Sequence, residues 1–327
     1  MATKRGLTLG KFAPLHRGHQ LVIETALSEM DEVAVIVYDA PDITEIPLDV
    51  RAGWIQTLYP DVKVIEAKGG PRDVGYTPEL MKCHEDYIIN ELKIRDITHF
   101  YSSELYGEHM SKALGARNRS VDPSRSQVPV SGTEIRQDPF NYREYIDPVV
   151  YRDLITKVAI LGAPSTGKTT LAQRLADAHD TVWMMEYGRK YWEEHQVDRR
   201  LSMDQLVQIA ETHIQIEDQL ILESNRYLFA DTSALTTRLF GTYYHDITDP
   251  RLDELADQSV NRYDLYLVCD IDIPYHDTWD RSGRVNRDIF QEWVIQDLMD
   301  RGVRYSVIRG SMDERIQQVA DILRGKE

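Results

Sequence analysis

Two stretches of this chain combine residue types and spacings that can handle phosphate. The first is Gly10-Lys11-Phe12-Ala13-Pro14-Leu15-His16-Arg17-Gly18-His19. It sets two imidazoles three residues apart around a glycine. A metal pair is disfavoured there, because no cysteine, third ligand or acid falls at metal-site spacing. Phosphate chemistry fits better. Gly18 lets backbone approach an anion, His16 and His19 at the start of a helix can donate to phosphate oxygens, and Lys11 adds a fixed charge. The second stretch is Gly162-Ala163-Pro164-Ser165-Thr166-Gly167-Lys168-Thr169, which fits G-x-x-x-x-G-K-[ST] at every fixed position. The backbone from Gly162 through Ser165, Thr166 and Gly167 to Thr170 would wrap a nucleoside triphosphate. Lys168 would reach its β- and γ-phosphates and the Thr169 hydroxyl would ligate Mg²⁺. The alternative is a glycine turn with a chance lysine. The strand run before the loop and the helical pattern after it argue against that.

Three further features narrow the second site to a reaction. Asp231 ends the apolar run from Tyr227, the place from which Mg²⁺ is held beside such a loop; the bland reading is a turn or helix cap. Glu186 follows the apolar run Val182–Met185 and could accept a substrate hydroxyl proton; the bland reading is a solvated acid. Both acids stay open as the base. Asp280–Arg287 carries Arg281, Arg284 and Arg287 in a polar, glycine-containing stretch. It reads as a lid whose arginines, Arg281 and Arg284 foremost, neutralise a transferring phosphoryl group, or else as an exposed loop. Two acids and a lid point to a small-molecule kinase rather than a switch or a motor.

The elements that must position these residues read as two α/β domains. Short apolar runs at Leu7–Leu9, Val33–Tyr38, Val62–Ile65 and His99–Tyr101 alternate with helical patterns at His19–Met30, Arg51–Tyr59 and Tyr87–Leu92. Such alternation predicts a parallel sheet with helices on its faces. The pattern restarts with strand runs at Lys157–Leu161, Tyr227–Ala230, Leu265–Val268 and Tyr305–Ile308. Helices are expected at Lys168–His179, Ser202–Asn225, Phe290–Met299 and Met312–Leu323, with Ser202 as an N-cap. A linker helix is expected between Pro139 and Pro148, and the boundary is placed at 1–153 and 154–327.

Composition bounds the partners. The net charge is −16 over 327 residues, −6 before residue 154 and −10 after it. Neither half is basic, which argues against nucleic acid and anionic membranes, where binding needs clustered cations. A small anion remains open, because local positive groups outweigh the global field. The two cysteines, Cys83 and Cys269, offer no disulfide framework. With no signal-like start and no run long enough to span a bilayer, the expected location is the cytoplasm. A homo-oligomer is left open.

The first stretch resembles the G-x-F-x-P-x-H-x-G-H signature of the H-x-G-H nucleotidyltransferases at Gly10, Phe12, Pro14, His16, Gly18 and His19. Val130-Ser131-Gly132-Thr133-Glu134-Ile135-Arg136 resembles their second signature, I-S-x-T-x-x-R. Joined to the phosphate loop, the whole chain from about residue 6 is similar to the bifunctional nicotinamide-mononucleotide adenylyltransferase / ribosylnicotinamide kinase family. Supporting stretches are Pro47–Ile55, Tyr101–Glu108, Glu186–Arg189 and Asp231–Thr237. The resemblance implies a Rossmann-like, doubly wound nucleotidyltransferase followed by a P-loop kinase. ATP and Mg²⁺ would serve as cofactors, and nicotinamide riboside and nicotinamide mononucleotide as substrates. It implies that His16 and His19 contact the triphosphate, that Ser131, Thr133 and Arg136 meet its β- and γ-phosphates, and that Trp54 and Tyr106 are candidates to stack on a pyridine ring. Some relatives carry an N-terminal DNA-binding domain; this chain opens on the first strand, so no DNA binding is expected. The family's D-D-G-L-R lid is altered, since Asp277-Thr-Trp279-Asp280-Arg281 lacks the glycine. The rival readings are a pantetheine-phosphate or cytidylyl transferase fused to a nucleoside kinase, and an ATP-binding regulatory sensor.

Overall fold

The computed structural model describes residues 3–73, 75–274 and 284–325, with backbone alone for 284–286. Two compact units, Met1–Tyr151 and Arg152–Glu327, divide the chain. In the first, β1 (Arg5–Gly10), β2 (Glu32–Tyr38), β3 (Lys63–Ala67), β4 (His99–Ser102) and β5 (Arg117–Ser120) form a sheet in the order β3-β2-β1-β4-β5, with every pair parallel. Helices α1 (Arg17–Glu29), α2 (Leu48–Leu58), α3 (Pro78–Asp86) and α4 (Tyr106–Ala113) make the crossovers. The short α5 (Gly132–Gln137) and α6 (Pro148–Tyr151) close the unit.

The second unit repeats the plan. Strands β6 (Thr156–Leu161), β7 (Trp183–Met184), β8 (Tyr227–Asp231), β9 (Leu265–Cys269) and β10 (Ser306–Ile308) take the order β10-β9-β6-β8-β7, again all parallel. The helices are α7 (Lys168–Ala178), α8 (Tyr187–His195), α9 (Met203–Leu220), α10 (Ala234–His245), α11 (Pro250–Val260), α12 (Arg284–Asp300) and α13 (Met312–Arg324). Strands covered on both faces need unbroken apolar runs. Accordingly Val158, Ala159, Ile160 and Leu161 are buried, as are all five residues of β8. In both units the strand that feeds the phosphate-handling stretch, β1 or β6, is the middle one. The order reverses there, which opens a crevice at the strands' carboxyl ends.

Several elements differ from the sequence expectation. Tyr87–Glu91 is a π-helical turn continuing α3 rather than a separate helix; Thr77 caps that helix and Pro78 occupies its first turn. The stretch after Pro139 holds only a 3-10 turn at Arg143–Tyr145 and the four-residue α6. Strand β5 reads Arg-Asn-Arg-Ser and is exposed throughout. It carries no apolar signal because it is an edge strand, where charge guards against edge-to-edge pairing. Helices α4, α8, α10 and α11 were not expected. The N-cap of α9 is as expected. The Ser202 hydroxyl accepts from Gln205 N–H and the Gln205 side chain returns to Ser202 N–H at 2.8 Å, which satisfies two helix-end donors at once. Ser202→Ala should therefore cost the second unit about 1 kcal/mol, seen as a lower urea midpoint for that unit; an unchanged midpoint would contradict the capping role.

Candidate active sites

In the first unit the β1–α1 loop is fastened from behind by two guanidinium groups. Arg51, buried on α2, donates to the carbonyls of Lys11 at 2.5 Å and Tyr38 at 2.8 Å and lies 3.7 Å from Asp39. Arg136 on α5 donates to the Ala13 carbonyl at 2.6 Å and to Thr133 Oγ1 at 3.0 Å. His16 then caps α1: its Nδ1 accepts from Gly18 N–H at 3.1 Å. A neutral ring that accepts at Nδ1 carries its proton at Nε2. That nitrogen faces the start of α5, since a Cβ built on Gly132 would lie 3.7 Å from it. The His16 and His19 rings sit 3.8 Å apart by centroid, and Phe12 packs edge-on to His19 at 4.9 Å. Burial, followed by the nearby Arg125 and Arg136 charges, pushes His16 down to about 4. Burial and then His16 push His19 well below its ordinary value. Both imidazoles are therefore neutral near pH 7, and His19 Nδ1 is buried without a hydrogen-bond partner.

The structure brings Gly10, Lys11, Phe12, His16, Gly18 and His19 together with α5. Ser131 and Thr133 serve the helix itself in this form. Ser131 caps α5 through a reciprocal pair with Glu134, and Thr133 accepts from Arg136. Trp54 is buried in α2, and the Tyr106 hydroxyl donates to the Leu9 carbonyl at 3.0 Å.

In the second unit the loop after β6 begins at Gly162 with φ +133°, and a Cβ there would lie 2.7 Å from the Cys269 carbonyl. Only glycine fits. Gly167 opens α7 at φ +84°. Lys168 is buried and its Nζ donates to the Ala163 carbonyl at 2.9 Å. Thr169 Oγ1 donates to Asp231 Oδ2 at 2.5 Å, and Asp231 Oδ1 is buried without a hydrogen-bond partner. Burial, and then the neighbouring Glu186 carboxylate, pushes Asp231 up to about 6. A buried carboxylate with a spare oxygen beside a threonine hydroxyl is a hard-oxygen donor set that suits Mg²⁺, which takes one or two protein ligands beside phosphates and water. A cavity of about 800 Å³ opens from the loop and is lined in part by Ser165, Thr166, Thr170, Glu186, His213 and Thr236. Arg281 lies outside the described residues, as does the side chain of Arg284.

Two residues that the sequence did not single out, Gln291 and Arg315, hold this loop, together with Arg287 of the expected lid stretch, which is buried. Gln291 accepts from Ala163 N–H at 2.8 Å and donates to the Cys269 carbonyl at 3.1 Å. Arg287 donates to the carbonyls of Ile273 at 3.0 Å and Ser165 at 3.2 Å. Arg315, buried on α13, donates to the Thr166 carbonyl at 2.7 Å and pairs with Asp272. A charged residue on the apolar side of a helix was the available signal for Arg51 and Arg315. His213 and Arg125 gave none.

A family model described as cytidylyltransferase-like matches residues 7–138, and one described as an AAA domain matches 157–315. The trifunctional NAD biosynthesis/regulator protein NadR of Escherichia coli (strain K12) is 28% identical over 98% of this chain and 82% of its own length. The Salmonella typhimurium protein of the same name is 28% identical over 92% and 77%. A crystal structure of a NadR protein in complex with NAD and AMP-PNP aligns over 99% of this chain and 96% of its own, with a TM-score of 0.58 and 25% identity. Over nearly its whole length the chain is similar to these proteins of NAD biosynthesis.

The neutral histidine pair makes stability of the first unit depend on pH. The folded-state value of His16 lies below its ordinary 6.5, so folding releases a proton, and stability is lost as pH falls from about 6.5 towards about 4. His16→Asn should flatten that slope in urea unfolding followed across this window; an equal slope would contradict it.

Proposed function

We propose that the unit Met1–Tyr151 is the nicotinamide-mononucleotide adenylyltransferase and the unit Arg152–Glu327 the ribosylnicotinamide kinase, the product of the second being the substrate of the first. One observation carries this reading: a single chain holds a close, neutral histidine pair on one strand-to-helix loop and, on another, a phosphate loop backed by the Thr169–Asp231 contact. The relatives support it, being named for NAD biosynthesis, and a second NadR crystal structure, 25% identical with a TM-score of 0.58, is described as a complex with NR.

In the kinase step the 5′-hydroxyl of nicotinamide riboside attacks the γ-phosphorus of ATP and ADP leaves. Lys168 exchanges its Ala163 partner for phosphate oxygens, and the loop N–H groups take the remaining charge. Asp231 is already engaged by Thr169, which leaves Glu186, on the cavity wall, to take the hydroxyl proton. Mg²⁺ held through Thr169 and Asp231 would supply charge neutralisation at the phosphates. In the adenylyl step a phosphate oxygen of nicotinamide mononucleotide attacks the α-phosphorus of a second ATP, and pyrophosphate leaves. Neutral His16 and His19 donate hydrogen bonds to the triphosphate, while Lys11 and Arg136 supply positive charge. Positioning and charge neutralisation suffice, and no covalent intermediate is needed.

The same reading places the chain in the cytoplasm with small molecules, not nucleic acid, as ligands. It is supported by the net charge of −16. Among the described residues no helix is long and apolar enough to cross a membrane.

Lys168→Ala should lower riboside phosphorylation by about 10²- to 10³-fold and spare adenylylation of added mononucleotide. His19→Ala should do the reverse. The two half-reactions are assayed separately, and loss of both activities in either single variant would refute two separate sites.

A further inference from the structure

The kinase cavity has a polar wall that the phosphate chemistry does not use. His213 on α9 is buried and lines the cavity. One turn further along the same helix Glu217, also buried, lies 3.5 Å from His213 Nε2. Glu217 is itself gripped: Arg262 donates to its Oε2 at 3.2 Å, and the Tyr263 hydroxyl donates to Oε1. Burial alone would raise the Glu217 carboxyl, yet His213, Tyr263 and Arg262 together hold it below its ordinary value. Such a buried ionic cluster is expensive to desolvate and is weak evidence for stability. It sets a carboxylate beside the His213 ring, whose buried Nε2 lies 3.5 Å from Glu217 and makes no hydrogen bond in this form.

A second observation points the same way. The hydroxyl of Thr236, which also lines the cavity, is buried without a hydrogen-bond partner, and so is that of Ser233 at the start of the same helix α10. Buried hydroxyls are ordinarily paired, so an unpaired one on a cavity wall calls for a polar group of a ligand. The cavity also presents the rings of Trp192, Phe240, Tyr243 and Phe290. A ligand with hydroxyl groups at one end and a flat ring at the other matches both surfaces.

We propose that His213, oriented by Glu217, and Thr236 together read the ribose hydroxyls of the kinase substrate, so that the cavity selects a ribofuranoside by its sugar and not only by its base. Glu217 is then a positioning residue, acting through His213. This rests on the kinase reading given above. His213 and Thr236 lie on the acceptor side, because the cavity runs from the phosphate loop past Glu186 to α9 and α10.

The test is a cycle between protein and substrate. Steady-state kcat/KM of the full chain is measured for nicotinamide riboside and for its 2′-deoxy and 3′-deoxy analogues. The variants are His213→Ala, His213→Gln, Glu217→Gln and Thr236→Val, and the KM for ATP is followed throughout. The wild type should prefer the riboside over at least one analogue by roughly tenfold or more, the worth of a well-made hydrogen bond. His213→Ala or Thr236→Val should erase that preference with the ATP KM unchanged. Glu217→Gln should weaken it and His213→Gln retain part of it. A merely structural role would lower all three substrates alike, and that result overturns the proposal, as does a preference that survives both variants. If the wild type leaves the riboside unphosphorylated, the kinase reading falls and this inference with it. If it phosphorylates the riboside and the variants keep full discrimination, only this inference falls.

Discussion

A loop that offers its N–H groups to phosphate must turn its carbonyls the other way, and those carbonyls, once out of water, need donors of their own. Both sites meet this constraint with side chains reaching in from elsewhere in the fold. In the first unit Arg51 and Arg136 hold the carbonyls of Lys11 and Ala13. In the second, Arg287 and Arg315 hold those of Ser165 and Thr166, and Thr166 and Lys168 share that of Ala163. A guanidinium suits the task because it is always charged and presents several donors in a rigid fork. The loops are thus held from behind before any ligand arrives, which is what catalysis by positioning requires.

The two units then treat charge in opposite ways. The first keeps two imidazoles neutral, so they donate hydrogen bonds without a full charge, while Arg136 carries the positive charge beside them. The second buries a carboxylate, and burial next to Glu186 raises it towards neutrality; a spare oxygen there is what a divalent cation would take up. The chain as a whole is acidic, with a net charge of −16. Positive groups are local, gathered where a phosphate would sit, and this sharpens selection for small ligands.

Much of this was legible in the sequence, because a strand-to-helix phosphate loop writes itself in consecutive residues. Gly10 to His19 and Gly162 to Thr169 each lie within one turn of chain, and their glycines and histidines have few other uses in that setting. The central strands were legible too, being apolar on both faces. The supports were not. Arg51, Gln291 and Arg315 reach their loops from distant elements, and a single sequence does not say which helix will face which loop. Edge strand β5 hid behind its charge. Helices α8 and α11 carry much polar surface, and only local cues such as Asp249-Pro250 ahead of α11 marked a start. His213 looked like one more position in the apolar stripe of α9; only its contact with Glu217 and its place on the cavity wall set it apart.

The central claim is that one chain performs both steps in order, and the route of a labelled phosphate tests it most directly. The full chain is incubated with nicotinamide riboside, Mg²⁺ and ATP carrying ¹⁸O on the γ-phosphoryl group, and the products are read by mass spectrometry. The account predicts NAD whose nicotinamide-side phosphate carries the label, the bridging oxygen included, while the non-bridging oxygens of the adenosine-side phosphate come unlabelled from the α-position. Labelled mononucleotide that never becomes NAD, or NAD without label, would contradict it.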